Sequence, residues 1–336
     1  MAKIAVLGAG AWGVALGILL DNNGHDVTMW TFLQSEADML INDRENKISL
    51  PGVKLPETMK ITIDMDEAIA DKDIIVMATA SKFIRSTAAK LKGKVKDGQI
   101  IVDVAKGIEE ETLMTMTQII EEEIPGCDPV VLSGPSHAEE VGRKLPTTVV
   151  VGAKTAQTAK FVQDTFMNET FRVYTSPDML GIELGGSLKN VIALAAGMAD
   201  GMGLGDNSKA GLITRGMAEI ARLGIAMGGK PETFSGLSGI GDLIVTCASV
   251  HSRNRKAGVL IGQGMSMEDA MTEVNQVVEG VYSAKAAMKL ANKYNVEMPI
   301  VEQVNAVLFD NKSVKEGLAD LMVRNKTTEI SVDDWK

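Results

Sequence analysis

The stretch from Lys3 to Gly13 constrains this chain more than any other. Ile4 to Leu7 form a continuous apolar run, as expected of a strand buried on both faces of a parallel sheet, and Gly8, Gly10 and Gly13 follow at once. That spacing is a dinucleotide-binding fingerprint. Gly8 permits the tight turn, Gly10 leaves room for the backbone to approach a pyrophosphate, and Gly13 lets the next helix pack closely on the strand. The apolar helix expected from Val14 to Leu20 would present its free N–H groups and positive end to the anion. A strand–turn–helix with no ligand uses the same pattern less often.

The rest of the chain must complete a sheet around that strand. With 336 residues it can bury a full core, and two domains are expected. A net charge of −10 argues against nonspecific nucleic-acid binding, so an anionic substrate would need a local basic pocket. Cys127 and Cys247 lack metal-ligand spacing, which points to a reducing compartment and no structural zinc. The first strand begins at once, which leaves no room for a signal peptide, and no apolar run suits a transmembrane span. A soluble, cytoplasmic protein is expected.

After the first helix, Asn22 to His25 make a turn and Asp26 to Trp30 read as the second parallel strand. The dinucleotide pattern would then place an acid for the adenosine ribose, or an arginine for a 2′-phosphate. Thr31, Phe32, Leu33 and Gln34 supply neither, which leaves NAD and NADP both open. Short apolar runs at 60–63, 73–79, 99–104 and 129–133 alternate with polar helical segments, and 146–152 and 171–175 read as further strands. The alternation predicts a doubly wound parallel sheet. Ligands of such sheets lie beyond the carboxyl ends of the strands. There the sequence delivers Lys106 and Gly107 after one strand, and Gly134, Pro135, Ser136 and His137 after another. Lys106 is either functional or a solvated charge, and Ser136 either lines a site or caps a helix. His137 with Glu139 and Glu140 lacks the further ligands a metal site needs.

Beyond residue 180 long helical segments replace the strands. Gly181 to Ala199 has no polar face, so it is expected to be buried, with Lys189 its single charge after Leu184. Gly186, Lys189, Asn190, Ala193 and Gly197 fall on one narrow stripe that would admit another backbone or a ligand. A lysine there must find an anion or lose its proton, which suits a catalytic acid/base as well as a buried ion pair. Farther on, Asp242 sits among residues too small to shield it. The group His251-Ser252-Arg253-Asn254-Arg255-Lys256 suits a phosphate or a solvated basic turn. The expected division is a nucleotide domain over 1–180, a helical substrate domain over 181–323 and a polar tail over 324–336. No nucleophile elbow, P-loop or HExxH motif occurs, which argues against hydrolases and kinases.

Taken together, the blocks Gly8–Gly13, Ala105–Gly107, Ser133–Ser136, Gly185–Asn190, Gly241–Leu243, Ser252–Arg255 and Gln276–Gly280 resemble the bacterial NAD(P)-dependent glycerol-3-phosphate dehydrogenase family, in order and spacing, over residues 1 to about 323. The resemblance implies a Rossmann-type doubly wound sheet followed by an all-helical C-terminal domain. It implies hydride transfer between NAD or NADP and dihydroxyacetone phosphate or sn-glycerol 3-phosphate, in a homodimer. By it Lys189 is the acid/base, Lys106 polarises substrate, and Asn190 and Asp242 orient the hydroxyls and the lysine. Gly134, Ser136, Ser252, Arg253 and Asn254 line the substrate site. Gly8, Gly10, Ala11, Trp12, Gly13, Phe32, Lys106, Ala138, Arg253, Val277 and Glu279 face the cofactor. Phe32 stands where the family commonly has a basic or imidazole residue, and Ala80 where a proline is frequent. A 3-hydroxyacid or 6-phosphogluconate type dehydrogenase is the second reading, and a nucleotide-binding regulator without catalysis a third. The Arg253–Asn254 pair argues against the former and the two lysines against the latter.

Overall fold

The computed structural model describes residues 1–326 and 328–329. The polar tail expected over 324–336 lies mostly outside the described residues. Eight strands form one sheet: β1 (Lys3–Leu7), β2 (Asp26–Trp30), β3 (Lys60–Thr62), β4 (Ile74–Met77), β5 (Ile100–Asp103), β6 (Asp128–Ser133), β7 (Thr147–Ala153) and β8 (Phe171–Ser176). Their order is β3-β2-β1-β4-β5-β6-β7-β8. The first six strands are parallel, in the Rossmann order, and the order reverses between β1 and β4, where a crevice opens for ligand. The doubly wound parallel sheet expected from the sequence is present, with one strand pair departing from it: β7 runs antiparallel to β6. The connection from β6 is the short helix Ala138–Gly142 alone, whose chain turns back beside its own strand instead of crossing over.

Seven helices interleave with these strands among the described residues: α1 (Ala11–Asn22), α2 (Gln34–Asp43), α3 (Met65–Ile69), α4 (Ile84–Leu91), α5 (Met116–Glu123), α6 (Ala138–Gly142) and α7 (Ala156–Phe166). Two apolar layers result. Ile4, Val6, Val76 and Val102 meet α1 and α7 on one face, while Ala5, Leu7, Ile75 and Ile101 meet α3, α4 and α5 on the other. This is why β1 shows no alternation in its sequence. His25, read as a turn residue, ties the amino terminus to α7: Nδ1 accepts from Ala2 N at 3.1 Å and Nε2 lies 3.0 Å from Thr165 O.

The remainder is helical: α8 (Met179–Gly201), α9 (Asp206–Ala226), α10 (Pro231–Phe234), α11 (Asp242–Ala248), α12 (Arg253–Gly262), α13 (Met267–Val274), α14 (Glu279–Tyr294), α15 (Pro299–Phe309) and α16 (Val314–Met322). α8 is long and apolar enough to span a bilayer, but 89% of its apolar window is buried, and it forms the axis of this half. α12 lies directly on it. A Cβ at Gly197 would stand 2.2 Å from Arg255 O, and one at Gly258 2.2 Å from Leu194 O. Gly201 and Gly262 make the same approach one turn later. The small-residue stripe on α8 therefore does admit another backbone, and that contact carries Ser252, Arg253 and Asn254 towards Lys189 and Asn190.

Candidate active site

The fingerprint glycines divide their roles by geometry. Gly8 has φ +118°, and a Cβ there would lie 2.7 Å from Ala78 O, so the turn at the end of β1 accepts no side chain. A Cβ on Gly13 would stand 2.0 Å from Gly8 O, which is the close helix–strand contact. Gly10 has nothing within 4 Å of that position. It is also the N-cap of α1 and has no side-chain cap, so the first amides of α1, at Ala11 and Trp12, are free for an anion. Asn46 buttresses the turn by donating to Ala9 O at 2.8 Å. An open, uncapped helix start beside the reversal of strand order fits a dinucleotide pyrophosphate.

On the substrate side, β5 ends in Asp103 and the chain turns through Ala105 to Lys106. β6 ends in Ser133 and turns at Gly134, whose φ is +140°. α11 begins at Asp242. These ends converge on one carboxylate. Asp242 accepts from Lys106 Nζ at 2.7 Å through Oδ2 and from Lys189 Nζ at 2.8 Å through Oδ1. Lys106 Nζ also donates to Gly134 O at 3.0 Å, and Lys189 Nζ to Thr246 Oγ1 at 2.5 Å. The expectation that Asp242 lacks shielding is corrected: it is 1% exposed, covered by α8 and both lysines instead of by its own small neighbours. Thr246 was missed. It stands one helical turn after Asp242, a spacing that marks it in the sequence.

Asn190 joins this centre to the next. Its Nδ2 lies 3.4 Å from Lys106 O, and its Oδ1 accepts from Asn254 Nδ2 at 2.9 Å, while Asn254 Oδ1 accepts from Gly280 N at 2.9 Å. Asn254 has thus committed its amide within the protein. Ser252 caps α12 by accepting from Arg255 N at 3.2 Å. Arg255 pairs with Asp200, which removes it from the basic cluster, and leaves Arg253 exposed at the helix start. Ser136 does not cap α6, because its hydroxyl donates back to Gly134 O at 2.9 Å.

Glu279 opens α14 and receives both the N–H, at 3.0 Å, and the hydroxyl of Ser81, which lies just after β4. This clasp spans the two halves of the molecule, and Ser81 carries no motif that would reveal it in the sequence. Val277 is half-buried just before it, and Ala138 packs with Ala11 and Trp12 beneath the fingerprint. Phe32 stands apart from the substrate network, 72% exposed beyond β2.

Residues 3–159 match the family described as NAD-dependent glycerol-3-phosphate dehydrogenase N-terminus, and residues 178–319 match its C-terminus. The chain belongs to this family. It is 62% identical to a glycerol-3-phosphate dehydrogenase [NAD(P)+] of Agathobacter rectalis over the full length of both chains. It is 52% identical to that of Bacillus subtilis, covering 98% of this chain and 96% of the relative. The crystal structure of the Coxiella burnetii glycerol-3-phosphate dehydrogenase superposes with a TM-score of 0.93 at 34% identity, covering 96% of this chain and 99% of that one.

Electrostatics suit a family of dehydrogenases. Burial brings Lys189 down to about 8, against the opposing pull of Asp242, and the charge of Lys106 pushes the same way as burial. Burial alone would raise Asp242, but the ammonium groups of Lys106 and Lys189 overcome it and hold the carboxyl below its usual range. Burial, with Lys189 nearby, keeps the His137 imidazole below its ordinary value. A lysine poised near neutral pH and fixed by a permanent anion can give a proton and take it back.

Proposed function

We propose that the chain is an NAD(P)-dependent sn-glycerol-3-phosphate dehydrogenase that interconverts dihydroxyacetone phosphate and sn-glycerol 3-phosphate. The observation that carries this reading is the Lys106–Asp242–Lys189 arrangement on a buried carboxylate, built from strand ends and α8, beside the Ser252-capped start of α12 that carries the exposed Arg253. A nicotinamide cofactor held at the end of β1 and the start of α1 would supply the hydride chemistry at C2 of the substrate. Lys189 donates its Nζ proton to the C2 carbonyl oxygen, which becomes the hydroxyl, and recovers a proton in the reverse direction. Lys106 binds and polarises the same carbonyl. Asp242 holds both ammonium groups in place, and Asn190 orients the substrate hydroxyl.

For the phosphate, Arg253 offers the free guanidinium, and the first amides of α12 offer N–H donors. Since the side chain of Asn254 is engaged elsewhere, its contribution there is the backbone N–H. Gly134, Ser136 and Ser252 complete the lining. Gly8, Gly10, Ala11, Trp12 and Gly13 take the pyrophosphate, Phe32 the adenosine end, and Lys106, Ala138, Arg253, Val277 and Glu279 the nicotinamide end. On the same reading residues 1–180 and 181–323 act as nucleotide and substrate domains. The product feeds glycerophospholipid synthesis in the cytoplasm, and the protein is a homodimer, which sedimentation tests directly. A steady-state assay with dihydroxyacetone phosphate and NADH or NADPH tests the activity. Oxidation of the cofactor by a keto acid, with dihydroxyacetone phosphate ignored, would instead favour the hydroxyacid reading.

A further inference from the structure

The names of the relatives, glycerol-3-phosphate dehydrogenase [NAD(P)+], leave the choice between the two nicotinamide cofactors open, and so does the sequence at Phe32. In a sheet of this order the adenosine ribose lies at the carboxyl end of β2, where an acid selects the free 2′-hydroxyl and a cation selects a 2′-phosphate. Here that end adjoins the fingerprint through Gly8 N, which donates to Trp30 O at 2.9 Å. Two residues farther on, Phe32 lies edge-on to Trp30, with ring centroids 6.4 Å apart.

A cation reaches this corner from a different element. Lys90, near the end of α4, holds its Nζ 4.9 Å from the Phe32 ring centroid and 5.6 Å from that of Trp30. Two cations near it in the chain are already committed: Arg85 binds Glu109, Glu122 and Glu123, and Lys94 pairs with Asp66. Lys90 is exposed and rests on the two rings, a weak attraction at such a surface that leaves its charge available. A separate observation concerns the acid. Glu36, in the first turn of α2, is the nearest carboxylate after β2 in sequence, and both of its oxygens already have donors. Oε2 accepts from the Thr31 hydroxyl, and Oε1 from Asn46 Nδ2 at 3.3 Å. The acid that would read ribose hydroxyls is thus folded back against the fingerprint, while a free ammonium stands over the rings.

Resting on the dehydrogenase reading above, we propose that Lys90, held over Phe32 and Trp30, is the specificity-determining residue that recognises the adenosine 2′-phosphate and makes NADPH the preferred cofactor. A 2′-phosphate carries close to two negative charges at neutral pH, so a single ammonium at this point discriminates by charge, without the bidentate geometry that an arginine would supply.

The test uses the intact protein and binding alone. Isothermal titration compares adenosine 2′,5′-bisphosphate with adenosine 5′-monophosphate, and cofactor fluorescence compares NADPH with NADH, for the wild type, Lys90→Ala and Lys90→Arg. The wild type should bind the bisphosphate and NADPH the more tightly. Lys90→Ala should reduce that preference about tenfold, the scale of one charge-assisted contact, with binding of the monophosphate within about twofold of the wild type. Lys90→Arg should retain the preference. Equal binding of the two nucleotides by the wild type, or an undiminished preference in Lys90→Ala, would overturn the assignment. So would a parallel loss for both nucleotides, since it would make Lys90 a support for the adenine ring. Turnover plays no part in these ratios. A protein that shows them but leaves dihydroxyacetone phosphate unreduced would refute the substrate reading and keep this one.

Discussion

Replacing Asp242 by asparagine removes the one anion between two ammonium groups and changes almost nothing in shape. In the intact site Lys189 is buried and stands at about 8. Asp242 lies 2.8 Å from it with 2% of its side chain exposed, so the pair is poorly screened. An ion pair at about 4 Å in an effective dielectric of about 20 is worth roughly 4 kcal/mol. Losing it shifts a lysine by about three pH units, from about 8 to about 5. In the proposed mechanism, reduction of the carbonyl needs the ammonium form of Lys189, whose fraction falls as pH rises through the lysine's own value. Wild-type ketone reduction should therefore hold up to about pH 8 and decline above it. In Asp242→Asn the decline should begin near pH 5, so that only about 1% of Lys189 is charged at pH 7 and reduction there falls about a hundredfold. The oxidation direction needs the neutral amine, so its limb should move the same way and gain at low pH. Single-turnover rates of cofactor oxidation from pH 5 to 9, at saturating substrate, read this midpoint. A variant that loses activity with its midpoint still near 8 would show that Asp242 does not set the charge of Lys189.

Lys189→Ala should lower turnover by about a thousandfold or more while cofactor affinity changes little, because Lys189 sits on α8, away from the fingerprint. Cofactor titration beside single-turnover rates separates the two, and turnover within tenfold of the wild type would remove this lysine from the proton transfer. Arg253→Ala should raise KM for the phosphorylated substrate at least tenfold with a smaller change in kcat, the loss expected of one charge-assisted contact; an unchanged KM would put the phosphate elsewhere. Gly258→Ala would set a Cβ 2.2 Å from Leu194 O, prising α12 from α8. Thermal unfolding should report a loss of about 3 kcal/mol, and a wild-type melting curve would contradict the close packing. Burial lifts Glu219 to about 7 even though Ile300 N and Val301 N donate to it. The folded state thus holds its proton more tightly than the unfolded one, and that stability, present below about pH 4.5, is lost as pH rises through 7. Glu219→Gln should gain on the wild type by up to about 3 kcal/mol between pH 5 and 8, read by urea unfolding; an equal difference at both pH values would refute the shift.

What the sequence disclosed follows from the range over which each signal acts. The β1 run and its three glycines are local, since one strand, one turn and one helix start meet within eleven residues, and their geometry matches their spacing. The burial of α8 was legible for the same reason: a helix with no polar face has to be enclosed. The antiparallel β7 was not, because an apolar run fits either direction and only the short α6 connection decides between them. The site occupies a middle position. Lys106, Lys189 and Asp242 each stood out singly, but their meeting is made by contacts between residues 53 to 136 apart in the chain, and nothing near Asp242 foretold that α8 would bury it. Thr246 and Ser81 escaped for opposite reasons. Thr246 is one turn from a singled-out residue and asked only for helical counting, whereas Ser81 acquires its role from Glu279, 198 positions away. Ionisable groups announce themselves because burying a charge is costly and needs explanation. A neutral hydroxyl that completes the arrangement carries no such cost, and its part is read from the contacts that surround it.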